Sequence, residues 1–412
     1  MSAILTIVIF AIIACCTTAV LIPSVVLMAY RKKLVEADNV KNSKKRPYPV
    51  VGGLCVFLSI IVTLLLSTFF LQGQNTLIYP IFCITLIFFT GLFDDLIKLS
   101  FQIRFLIQIF LIAMLWYCGF GVDSLADVFS VINLPIALSL IISIVIGVGL
   151  INALNLMDGV DGLASGFGIL CSLVLAVYFM LHGDVLYAVM AGILLGSLLP
   201  FFFCNLFSSK YKMYIGDSGS MILGILAYLV VCRVMREPRI FVWDDYRVSM
   251  LMALYAVPVY DTIRVMTSRI RHHRSPFLPD KTHLHHALVK LHYPHVMVTA
   301  IEMTLVLIIL AIWVLMCLVA QKTGMNVSWH FVITAVIGFF VVCAIYYYVM
   351  YLRRHNPDAF AKQIARGRAA SQRVQKPFMF IRALLDGRLS SWSRTKKHLD
   401  TLEQINDHDK QK

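Results

Sequence analysis

ALSLIISIVIGVGLINALNLMDGVDGLASG, residues 137–166, sets an uncharged apolar run directly against a dense polar cluster. A bilayer's hydrocarbon core takes roughly 20 apolar residues of helix, and the stretch from 137 to 153 carries no charged residue. Asn152, Asn155, Asp158 and Asp161 then recur at every third position. A helix continued to Asp158 sets the first three along one face, so their side-chain oxygens aim at one place. Two Asp-Gly pairs follow, where the backbone can turn and approach a ligand closely. A helix end followed by an ordinary turn would account for one of those pairs. It leaves the two asparagines ahead of it unexplained.

The same pattern of apolar run and polar break repeats along the chain. Of its 412 residues 59% are hydrophobic and 14% charged, against about half and about a quarter in soluble domains. About eleven runs meet the spanning length, near 3–29, 50–71, 77–93, 103–120, 137–153, 164–181, 185–204, 219–235, 248–267, 296–319 and 329–352. The fold class is therefore an all-α polytopic membrane protein. The first run is too long for the apolar core of a signal peptide, and no small-residue cleavage site precedes Arg31-Lys32-Lys33, so it reads as a retained span. Cysteines such as Cys15, Cys55 and Cys171 lie inside apolar runs without metal-type spacing and read as small core residues. Residues 1–352 form the membrane domain and 353–412 a basic tail. In that tail, Phe378–Ile381 with Ala383, Leu384 and Leu385 suits an amphipathic helix on the membrane surface. A disordered basic tail held near anionic lipid is the competing expectation.

A net charge of +14 invites a nucleic-acid reading, but the basic residues collect in alternate short loops, as on a membrane protein's cytoplasmic face. One set of loops holds Arg31, Lys32, Lys33, Lys41, Lys44, Lys45 and Arg46, then Lys98 and Arg104, Lys210 and Lys212, and Arg269 to Lys281. The alternate set, 73–76, 121–135 and 182–184, has neither Lys nor Arg; only 236–247 is mixed. No nucleic-acid partner is expected. The positive-inside rule places the N-terminus outside, in the periplasm, and the C-terminus in the cytoplasm.

The unusual polar clusters all fall on the loops assigned to the cytoplasm. Asp94 and Asp95 close the third run, the Asn152–Asp161 array follows the fifth, GDSGS (216–220) opens the eighth, and RIRHHRSPFLPDKTHLHH (269–286) follows the ninth. The amides that open a helix at GDSGS suit an anion, and Asp217 offers a hard oxygen for Mg²⁺; N-capping by Ser218 or Ser220 is the plainer account. Adjacent aspartates at 94 and 95 repel until a divalent cation or a cationic partner relieves them, and Lys98 and Arg104 are at hand. Arg269, Arg271, Arg274 and Lys281 are the cations a pyrophosphate needs. His283, His285 and His286 lack the Cys or acid that would complete a zinc site. Hard oxygens, phosphate-binding cations and carboxylates beside a membrane are the inventory of phosphoryl transfer.

RPYPVVGG (46–53), GLFDDLIKLS (91–100), NALNLMDGVDGLASG (152–166), GDSGS and SPFLPDKTHLHH (275–286) stand in an order that resembles the bacterial polyprenyl-phosphate N-acetylhexosamine-1-phosphate transferases of glycosyltransferase family 4. The branch it looks like uses GlcNAc. The resemblance, over roughly residues 1–352, implies transfer of GlcNAc-1-phosphate from UDP-GlcNAc to undecaprenyl phosphate with Mg²⁺, in the bacterial inner membrane, by a site open to the cytoplasm. It implies Asp217 and Asn155 as metal ligands, and Asp94, Asp95, Asp158 and Asp161 as the essential acids. Arg269 and Arg271 would clamp the diphosphate, and His283, His285 and His286 would shape the nucleotide side. The chain departs from the family pattern at Lys98, where an acid is frequent, and at Gln102, where a base is frequent; Lys98 or Arg104 must supply that charge. Lys281 stands for a frequent Arg. A homodimer is left open.

Two rivals define the alternatives. Phospho-N-acetylmuramoyl-pentapeptide transfer stays within the family, but its last motif loop is less similar. A secondary transporter would place ionisable groups near the bilayer midplane; Asp261 and Arg264, three apart on one helix, read instead as a structural pair.

Overall fold

A computed structural model describes residues 2–32, 34, 48–71, 77–125, 128, 133–275 and 282–387, the side chains of Gln375 and Lys376 excepted. Within them the chain is helical, with no β-strand. The basic residues at 33 and 41–46, Asp127, most of the SPFLPDK segment with Lys281, and the tail beyond 387 lie outside the described residues.

Among the described residues, nine helices are long and apolar enough to cross a membrane. Four of them, α1 (Ala3–Arg31), α2 (Gly52–Phe70), α3 (Ile78–Ile97) and α5 (Ile136–Met157), precede the Asp-Gly pairs. The other five follow: α6 (Leu163–Leu181), α7 (Val185–Phe207), α8 (Gly216–Val234), α12 (His295–Thr323) and α13 (Val327–His355). α4 (Phe101–Tyr117) is apolar but only 17 residues long, about 25 Å. The run at 248–267 is two helices, α9 (Arg247–Leu254) and α10 (Ala256–Arg271), bent by 59°. Pro258 explains the break, since without an N–H it cannot bond the Leu254 carbonyl one turn back. α11 (Leu284–Lys290) is short, and α14 (Pro357–Leu385) closes the described chain.

The helices carry large apolar side chains on the outside too, for example Phe69, Leu106, Phe110, Val145 and Phe340. Lipid accepts such a surface because helices satisfy their own backbone. Inside, contacts are made by close approach and by hydroxyls. Ser59 Oγ donates to the Ala14 carbonyl at 2.8 Å and meets Ser197 Oγ at 2.9 Å, joining α1, α2 and α7. α8 is the most deeply buried span and packs between α3 and α5. A Cβ at Gly91 of α3 would collide with Ser218 of α8. That close approach brings the end of α3, the end of α5 and the start of α8 to one end of the bundle.

In the described part of the tail, the segment expected to form an amphipathic helix is helical. α14 begins two residues after α13 and is neither a stray chain nor a helix laid on lipid alone. It packs on the rest of the protein through Phe360 and Ile364 near its start and Phe378 near its end.

Candidate active site

The site begins where α8 begins. Gly216 takes a left-handed φ of 72°, and the chain turns there into the helix. The Asp95 carboxylate accepts from the Asp217 N–H at 2.9 Å and the Ser218 N–H at 3.1 Å. Those are the amides read in the sequence as an anion site; they serve an internal anion, and Asp95, from another helix, supplies the cap expected of Ser218 or Ser220. Asp94 turns away from its neighbour, accepting from the Leu99 N–H at 2.7 Å and from Arg104 Nη1 at 2.6 Å. The repulsion anticipated between the two aspartates is thus relieved by a helix N-terminus and a guanidinium. Arg104 Nη1 also stands 3.9 Å from Asp217 Oδ2.

Asn155, near the end of α5, donates to Asp217 Oδ1 at 2.7 Å and to Ser220 Oγ at 2.9 Å. Both amide hydrogens are spent, so Asn155 has its oxygen left to offer beside the Asp217 carboxylate. Asn152 does not join this face, because its amide donates to Gln108 Oε1 at 2.7 Å and ties α5 to α4.

Asp161 is held from two sides. Lys212 Nζ reaches its Oδ2 at 2.5 Å and His295 Nδ1 at 2.9 Å. Burial works to raise its pKa, but the hydrogen bond from His295 and the charge of Lys212 outweigh it and hold the carboxyl below its usual range. The loop is fixed further by Asn205, which accepts from the Gly162 N–H at 2.6 Å and donates to the Met213 carbonyl at 2.7 Å. Neither His295, Asn205 nor the role of Lys212 was singled out in the sequence. His295 follows Pro294 at the head of an apolar run, and Asn205 is a lone polar residue near the end of one. Those were the available signals.

The histidine segment closes one flank. The structural pair expected at Asp261 and Arg264 is present at 2.6 Å, with His283 Nδ1 as a third member 2.8 Å from Asp261 Oδ2. His285 is buried, stacks on His283 at 5.6 Å and meets His286 at 4.4 Å. Its ring lies against Gly159, where a Cβ would strike Nε2, and that Nε2 has no hydrogen-bond partner among the described residues. Burial, then His286 and His283, push its pKa down to about 3, so the ring is neutral at ordinary pH. Arg269 and Arg271 do not form a joint clamp. Two apart on one helix they face different ways, Arg269 being buried and Arg271 exposed.

Asp95, Lys98, Asn155, Asp158, Asp161, Asp217 and His295 line one cavity of about 880 Å³, with Met28, Leu34, Leu54, Leu92 and Leu96 on its apolar side. Lys98 is exposed and has no ion pair among the described residues. Oxygen donors, an open ammonium and an apolar flank in one hollow suit a phosphorylated amphiphile. Residues 77–235 match glycosyl transferase family 4. The matched segment holds every aspartate of the cavity, together with Lys98, Arg104 and Asn155; Arg269, the histidine segment and α14 lie beyond it.

Curated relatives extend the likeness. The chain is 26% identical over 269 residues to the undecaprenyl-phosphate alpha-N-acetylglucosaminyl 1-phosphate transferase of Yersinia pestis, covering 64% of this chain and 71% of that one. It is 26% identical to the probable undecaprenyl-phosphate N-acetylglucosaminyl 1-phosphate transferase of Bacillus subtilis, over 69% and 77% of the two chains. It is 28% identical to the decaprenyl-phosphate N-acetylglucosaminephosphotransferase of Mycolicibacterium smegmatis, over 65% and 72%. Each of these names joins a prenyl phosphate to the transfer of an N-acetylglucosamine phosphate group.

Among the described residues no three His, Cys, Asp or Glu side chains converge as a metal cage. Mg²⁺ rarely needs one, since it is usually held by one or two carboxylates with water and substrate phosphates. The Asp217 carboxylate and the remaining Asn155 oxygen fit that mode.

Proposed function

We propose that the protein transfers N-acetylglucosamine 1-phosphate from UDP-GlcNAc to undecaprenyl phosphate, releasing UMP and leaving the sugar on a lipid diphosphate. The observation that carries this reading is the cavity itself: the matched segment gathers an Asn155–Asp217 pair, three further aspartates and an uncommitted lysine beside apolar residues. A lipid phosphate oxygen attacks the sugar-linked phosphorus, and the bond from that phosphorus to the bridging oxygen breaks as UMP leaves. A phosphate monoester is largely dianionic at neutral pH, its second pKa being about 6, so the nucleophile asks little of a base.

The protein's work is then to position its substrates and to offset charge. Asp217 and Asn155 would hold Mg²⁺, which when bound would neutralise charge on the diphosphate. Lys98 takes a phosphate oxygen, filling the role left open by Gln102. Asp158, on the cavity wall, contacts substrate. Asp94 and Asp95 act by fixing Arg104 and the head of α8, which makes them positioning residues. Asp161 orders the turn beneath the cavity. Neutral His285 offers a hydrogen bond on the nucleotide side with His283 and His286 behind it. Arg271 is the clamp residue open to solvent, and Arg269 supports from within.

The loop charges support an enzyme of the bacterial inner membrane with the bent pair and α4 as further spans, about eleven in all. The N-terminus is then periplasmic and the cavity cytoplasmic. Purified protein given undecaprenyl phosphate, Mg²⁺ and a panel of UDP-sugars tests the reaction. UMP and lipid-linked sugar should form with UDP-GlcNAc. Product only with UDP-N-acetylmuramoyl-pentapeptide would move the protein to the peptidoglycan reaction, and no product with any donor would remove the reading.

A further inference from the structure

α14 lies outside the matched segment and has no part in the transfer chemistry above. It is 29 residues long, about 43 Å, and meets the rest of the chain near both of its ends. Near its start, Phe360 and Ile364 pack on Ala287, Leu291 and Val349. Gln363 Oε1 accepts from the Tyr293 hydroxyl at 3.5 Å. Gly367 lies so close to the Leu291 carbonyl that any Cβ would collide with it.

The second contact is at its end. Phe378 meets the Phe207 ring edge-on at 4.7 Å, and Arg382 Nε donates to the Phe207 carbonyl at 3.1 Å. Asp386 is 4% exposed. Its carboxylate accepts from the hydroxyls of Ser208 and Ser209, both at 2.6 Å, and from the N–H groups of Ser209 at 3.3 Å and Lys210 at 3.2 Å. Burial raises its pKa, yet these bonds together keep it below the usual carboxylate range, so it is ionised and fully bonded at neutral pH.

These two footholds are on the two segments that grip Asp161. His295 comes two residues after Tyr293, and Lys212 comes two residues after Lys210. Both side chains meet the same Asp161 oxygen. We propose that α14 is a strap joining the 291–295 and 208–212 segments, and that Asp386 is a positioning residue for Asp161. Its kinetic consequence rests on the transfer reading; its structural consequence does not.

The test uses the full chain in detergent and compares wild type, Asp386→Asn and Gly367→Leu by backbone hydrogen exchange. Asp386→Asn should speed exchange on the order of tenfold at Ser209 and Lys210 and also at Asp161 and Gly162. Gly367→Leu lifts the other end by different chemistry and should loosen the same Asp161–Gly162 turn. In the UDP-GlcNAc assay, kcat for Asp386→Asn should fall about tenfold with KM within about twofold. That loss should vanish in a Lys212→Met background, because both changes break one linkage. Faster exchange confined to 208–211, or additive losses in the double variant, would overturn the proposal. If wild type turned over no UDP-sugar, the transfer reading would fall, and exchange at Asp161 and Gly162 would decide the strap alone.

Discussion

The two ends of the helix bundle both carry clusters of charge, but the clusters are built differently. At the end away from the cavity, the acids among the described residues are paired with basic side chains. Arg233 Nε bridges Asp184 at 2.6 Å and Glu237 at 2.7 Å, Arg236 pairs with Asp123, and Arg239 meets Asp245 at 3.1 Å. The Asp244 carboxylate, wholly buried, joins His182 at 2.9 Å and the N–H groups of Ile240 and Phe241 at 2.7 Å each. Burial, and a hydrogen bond with Asp184, raise the Glu237 carboxyl above its usual range. At the cavity end Asp161 is paired with Lys212 and His295, but Asp217 stands 3.9 Å from Arg104, and Lys98 lies on the same wall with no ion pair among the described residues. A closed network holds loops together. An unbalanced one has room for a ligand that brings positive charge to the acids and negative charge to the lysine.

Substitutions at the two ends should therefore fail in different ways. The largest effect is expected for Asp217→Ala, which should cut UMP release at least about a hundredfold while the melting temperature in detergent stays close to wild type. Lys98→Ala should raise KM for UDP-GlcNAc about tenfold, near 1.4 kcal/mol, measured by steady-state kinetics. At the far end, Asp244→Ala strands buried donors and should cost about 2 kcal/mol of stability, seen in thermal unfolding, with turnover per folded molecule unchanged. The smallest effect concerns pH. His285 has a folded pKa of about 3, below the roughly 6.5 of an unfolded histidine. Between those values the unfolded chain binds the extra proton, so stability is present above about pH 6.5 and declines as pH falls toward 3. His285→Gln should blunt that decline in unfolding measured from pH 7 to pH 5. An acid sensitivity equal to wild type would show that His285 titrates normally.

Much of this contrast was legible in the sequence. The apolar runs and the loop charges mark helices and ends directly, because the bilayer imposes length and composition. The Asn155–Asp217 pairing was within reach, as both residues sit at helix ends inside the polar clusters singled out in the sequence. What the sequence pattern did not carry was who satisfies whom across helices. Asp95 capping α8 is a contact 122 residues apart, and Asn152 bonding Gln108 joins helices that no local spacing links. The split between Arg269 and Arg271 follows from helical geometry and was open to the same reasoning that placed Asp261 with Arg264. The strap was hidden because α14 is amphipathic in composition, and a membrane surface would accept the same face that the loops accept here.

The most direct measurement is a Mg²⁺ titration of UMP release from UDP-GlcNAc and undecaprenyl phosphate, run side by side on wild type, Asp217→Ala and Asp244→Ala. The expected result is saturable activation by Mg²⁺ in wild type and in Asp244→Ala, and none in folded Asp217→Ala. Activation of Asp217→Ala with the wild-type midpoint would contradict the assignment of the cavity as the ligand site. So would its loss in a folded Asp244→Ala protein.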